Sequence, residues 1–325
     1  KLRRVIRFLA VVRIQRCWRS YLAKSSGVPL SLRPMMTKAF TAPTPGSLTL
    51  KSEAWLLQQL DTLYHEKLMS DARCDAGRLP RVDFAAFLYD HHLYKFGVRE
   101  IAEFNLHTLF FNVRKHADRP SCARAKIFAL QTGMGDELNL SIESRFRVGS
   151  DSSARAARQA ATMGGATMTP EHWMETSFSL EFYLRCVISL AAASTANRSG
   201  LYPYSRQEEN TGQSSLPLDQ ACKVLAATLG KDHAGANVHF SESEIVVLQS
   251  RARDMARGAS GGAGGDASRI NVDDLLELVM CRWATKMRDR EGDLRKIFRA
   301  GDVDLNNVLS FGTCSPALFF VVVFL

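Results

Sequence analysis

Asp302, Asp304, Asn306, Val308 and Ser310 set a potential oxygen donor at every second residue of one short stretch. Two carboxylates, an amide oxygen and a hydroxyl are hard-oxygen groups, the kind that hard cations take. A shell of such groups closes only if the chain turns sharply in its middle. Asn307 stands at that point, and Asn tolerates the left-handed backbone better than most residues with a Cβ. Leu309 follows as an apolar contact, and Leu294, Ile297 and Phe298 lie upstream at the spacing of a helix's inward face.

In this order the residues resemble the EF-hand calcium loop, with Asp302, Asp304, Asn306, Val308 and Ser310 at positions 1, 3, 5, 7 and 9 and Leu309 at the eighth. The resemblance implies Ca2+ as the cofactor, with the Asp302 and Asp304 carboxylates, the Asn306 amide oxygen, the Val308 backbone carbonyl and the Ser310 hydroxyl, directly or through a water, as its ligands. The family's twelfth-position Glu is replaced by Thr313, which removes a bidentate carboxylate and predicts weakened affinity. EF-hands work in pairs bridged at the eighth position, so a mate is expected. The reading places it between helices at Ser241 to Ala256 and Val272 to Lys286, with Ile270 eighth and Asp274 twelfth. Ala263, Gly265 and Ala267 then occupy its first three side-chain positions, so the mate is expected not to bind. After Phe311 no amphipathic outgoing helix follows, and a native continuation that restores an acidic residue is expected. The competing reading of 302–310 is an Asx-rich turn between helices.

A second constellation lies near the other end. Val5, Phe8, Leu9, Val12, Trp18, Tyr21 and Leu22 recur near the helical period with Arg and Lys between them, which predicts a basic amphipathic helix. Ile14, Gln15, Trp18, Arg19 and Lys24 within it resemble the IQ motif, which calmodulin-like proteins grip. The apolar anchors Ile14 and Trp18 suit an opened apolar groove, Gln15 a backbone contact, and Arg19 and Lys24 an acidic rim. Ser20 stands where the motif usually has Gly, and Gly27 where a large apolar residue would be. Other partners open to such a helix are the rest of this chain, including the EF-hand-like pair itself, and an anionic membrane surface.

The elements that must hold these two ends are mainly helical. Apolar spacing predicts helices at Glu53 to Met69, Asp83 to Phe96, Val98 to Ala117 and Cys122 to Gln131, then at Pro170 to Ala193, Pro217 to Leu229, Ser241 to Ala256, Val272 to Lys286 and Arg290 to Ala300. The organisation reads as a basic helix (1–24), a Pro/Gly linker (25–47), a helical domain (48–133), a flexible connection (134–169), a helix with a polar loop (170–215) and an EF-hand-like pair (216–325). Few runs read as strand, and no internal repeat is present.

Charge and cysteine usage narrow the partners. The 325 residues carry 42 Lys plus Arg against 33 Asp plus Glu, but eight of the cations and no acid fall in the first 24 residues, leaving 34 against 33 elsewhere. A broad nucleic-acid-binding face is therefore not expected. Seven scattered cysteines without a CxxC pair suit a reducing, cytoplasmic compartment. No uncharged apolar run reaches membrane-spanning length. The chain begins with Lys, which fits a fragment.

Several further signals carry less. His91 and His92 are adjacent and point about 100° apart on a helix, so with His107 and His116 they read as ordinary helix histidines. The Gly258 to Gly265 tract lacks a phosphate-loop ending, Cys186, Cys222 and Cys281 read as core thiols, and Arg73 spoils a calcium loop at Asp71, Asp75 and Gly77. With no catalytic arrangement in view, the expectation is not an enzyme but a calcium-responsive adaptor that binds a calmodulin-like protein through its N-terminal helix. The alternative is a cytoskeletal or ciliary scaffold in which both elements are vestigial.

Overall fold

A computed structural model describes residues 48–135, 138–142, 173–193, 213–230, 240–259 and 269–301. These residues are mainly helical, as the apolar periodicity predicts.

Helix α1 (Glu53–Ala76) buries Leu56, Leu57, Leu60, Leu63, Tyr64 and Lys67, one face at helical spacing, and the Ser52 hydroxyl caps its start by accepting from the Trp55 N–H at 3.2 Å. It runs past the expected end at Met69, so Asp71 and Asp75 lie on a helix instead of in a loop. Each has a cation for company: Lys67 pairs with Asp71, and Arg81 donates to Asp75 through Nε and Nη2 at 2.9 and 2.6 Å. Helix α2 (Phe84–Phe96) starts on the Asp83 carboxylate and stops at Gly97, whose φ of 69° is the left-handed conformation that ends helices and suits Gly. Helix α3 (Arg99–His116) folds back on α2, and helix α4 (Ala123–Gln131) packs against α1 and α3.

Helix α5 (Ser177–Ala193) begins later than the apolar run suggests. The Thr176 hydroxyl donates to the Trp173 carbonyl at 2.8 Å and accepts from the Ser179 N–H at 3.3 Å, which fixes the start just after it. Strand β1 (Ser215–Pro217) then leads directly into helix α6 (Leu218–Leu229), and helix α7 (Glu242–Ala259) is followed by strand β2 (Arg269–Asn271) and helix α8 (Val272–Gly301). The spacing predicts two helices in place of α8. The chain between them, Met287 to Asp289, holds no Pro, and Gly292 alone costs only about 1 kcal/mol in a helix, so one 30-residue helix forms.

The strands pair antiparallel, with Leu216 opposite Ile270, Ser215 opposite Asn271 and Pro217 opposite Arg269. Two helix–strand–helix halves, α5–β1–α6 and α7–β2–α8, are thus tied at one short ladder. Their core is continuous with that of α1 to α4, forming one cluster from Leu56 to Met287. Tyr64 of α1 lies at its centre, its ring 5.9 Å from Phe84, 6.1 Å from Phe128 and 4.9 Å from Tyr183. A second aromatic group joins α5 to α8, with Phe182 at 5.5 Å from Trp283 and 6.3 Å from Phe240.

Candidate functional site

The expected ion ligands Asp302, Asp304, Asn306, Val308 and Ser310 lie outside the described residues, as do Ile14, Gln15, Trp18, Arg19 and Lys24, the positions expected to bind a partner. What the structure describes is the element that ends just before Asp302. Helix α8 continues from β2 to Gly301, the residue before Asp302. Its anchorage therefore fixes Gly301, to which Asp302 is joined.

The strand of Ile270 pairs differently from the sequence expectation. The EF-hand spacing pairs Ile270 with the Asp302 stretch, whereas its ladder partner is Leu216. Both side chains are buried, and the Val272 N–H donates to the Ser214 carbonyl at 2.8 Å just beyond them. An antiparallel partner with an apolar residue directly opposite satisfies the strand's backbone groups and buries both side chains on one face. Nothing in the short segment Ser214 to Leu218 marks it as a strand, because three residues are too few to show an alternation.

The start of α8 is held by polar contacts of unusual depth. Asn271 caps it, its Oδ1 accepting from the Asp273 and Asp274 N–H groups at 2.8 and 3.4 Å. Asp273 accepts both prongs of Arg124 on α4, Nε to Oδ1 and Nη2 to Oδ2, each at 2.9 Å, while Arg124 Nη1 donates to the Leu57 carbonyl of α1 at 2.9 Å. One turn further, Glu277 accepts from Lys126 at 2.7 Å. Arg124 and Asp273 are 0% and 2% exposed, so each charge depends on the other for what water would supply.

A second polar anchor ties α7 to the middle of α8. Glu244 accepts from Arg282 at 3.0 Å, from Lys286 at 2.6 Å, and from the Ser241 N–H at 2.8 Å. The Glu244 N–H in turn donates to the Ser241 hydroxyl at 3.3 Å, a reciprocal capping box. Burial pushes the Glu244 carboxyl upward, but the hydrogen bonds from Lys286 and Ser241 outweigh it and hold the acid at about 2. The Lys286 ammonium also sits 4.9 Å over the Phe240 ring.

The histidines are distributed among separate tasks. His92 donates through Nδ1 to the Leu88 carbonyl at 2.8 Å, and His116 uses Nε2 toward the Lys51 carbonyl at 3.1 Å. Burial pulls His92 down to about 4, against the pull of the Leu88 carbonyl. Among the described residues, no group of three or more His, Cys, Asp or Glu side chains is placed to hold a metal. Burial pushes the Cys122 and Cys186 thiols up to about 12 and raises Cys222, which keeps these three protonated. No described helix is long and apolar enough to cross a membrane.

Leu216, Arg124, Asp273, Glu277 and Glu244 were not singled out from sequence. Arg124 could have been, since it shares a helix face with Ile127, Phe128 and Gln131, all buried. A charge on that face must meet an opposite charge. Comparisons with family models, curated proteins and solved structures return no match to this chain.

Proposed function

We propose that this chain is a non-catalytic, calcium-responsive adaptor. Asp302, Asp304, Asn306, the Val308 carbonyl and Ser310 take up Ca2+, and the helix carrying Ile14, Gln15, Trp18, Arg19 and Lys24 engages a calmodulin-like protein. The observation that carries this reading is the spacing of oxygen donors from Asp302 to Ser310 directly after α8, which runs without a break to residue 301. Two helix–strand–helix halves joined by one antiparallel ladder, Leu216 to Ile270, precede it. EF-hand pairs are assembled in this way, each loop bridged to the other at its eighth position. Ala263, Gly265 and Ala267 offer no side-chain oxygen in one loop, and counting from Leu216 puts Gln220 where the other would need an acid. The bridged halves are then an ion-free platform, and calcium chemistry falls to the loop appended to α8.

One observation favours the scaffold reading instead. The ladder of Ile270 is already taken by Leu216, so the Asp302 loop has no mate of its own there. With Thr313 at its twelfth position, that loop must work alone and without the bidentate clamp. Calorimetric titration of calcium into the full chain separates the two readings. The adaptor reading expects binding heat that disappears in Asp302→Ala/Asp304→Ala; a wild-type chain that gives no heat at millimolar calcium leaves the scaffold.

A further inference from the structure

We draw no further inference here: the strongest candidate, the cleft between α1, α2 and α3 lined by Trp55, His92, Lys95, Phe96 and Asn105, carries none, because its enclosed space admits no more than about two water molecules and nothing in the structure shows what occupies it.

Discussion

Arg124 and Asp273 stand 149 residues apart and meet as a two-pronged ion pair, both bonds 2.9 Å long. The third guanidinium contact, to the Leu57 carbonyl, makes Arg124 the point where α1, α4 and α8 are tied together. The planar fork of an arginine suits this, since it can satisfy a carboxylate and a carbonyl at once without turning. Through that contact the helix that ends just before Asp302 is fastened to α1 and α4.

Breaking this pair one side at a time should be costly. Arg124→Met or Asp273→Asn leaves a charge or a polar group buried without its partner, and each is expected to destabilise by about 3–5 kcal/mol. The double variant Arg124→Met/Asp273→Leu removes both charges and should recover much of the loss. Denaturant unfolding of the four proteins tests this, and additive losses in the double variant would refute the account.

The ladder gives a second expectation. Leu216→Ala and Ile270→Ala each empty a buried site and should cost about 2–4 kcal/mol. Because the two residues face each other, their effects should couple by about 0.5–3 kcal/mol. A thermodynamic cycle measures this; coupling within error of zero would mean that the ladder does not join the two halves energetically.

Acid should weaken the fold in two stages. The folded protein holds His92 at about 4, below the ordinary histidine value of about 6.5, so the unfolded chain binds the proton more readily and stability drains away as pH falls from about 6.5 to 4. Glu244, held at about 2 in the fold, adds a later loss between about 4.5 and 2. His92→Gln, which keeps a donor for the Leu88 carbonyl but cannot titrate, should flatten the first stage. His91 and His107 are also lowered by burial and leave a residual slope. An unfolding free energy independent of pH from 7 to 4 in the wild type would contradict this.

Thiol labelling should divide the cysteines. Burial keeps Cys122 and Cys186 protonated and inaccessible, whereas Cys74 is partly exposed near the end of α1. Under native conditions iodoacetamide should modify Cys74 well before Cys122, Cys186, Cys222 or Cys281. Early labelling of Cys186, read by mass spectrometry, would show that its surroundings open.

Much of the helical framework is written locally. The face from Leu56 to Lys67, the caps Ser52 and Asp83 and the stop at Gly97 follow from neighbours within a few residues, and α2 to α4 form close to where spacing puts them, while α1 starts there and runs two turns further. The run of α8 through Met287 to Asp289 was harder to see, because charged residues interrupt the apolar pattern without breaking the backbone. Side chains alone also reveal the oxygen spacing from Asp302 to Ser310 and the run of cations around Ile14.

Pairings between distant segments needed the folded chain. That Ile270 takes Leu216 as its ladder partner, that Arg124 finds Asp273, and that Asn112 grips the backbone at Thr49 and Lys51 are choices among many partners of similar chemistry. Local propensity ranks conformations of a single segment, but it says nothing about which buried charge meets which or which short strand lies opposite another. Packing the helices around Tyr64 into one core brings those groups within reach, and the high cost of leaving them unpaired there selects the partner.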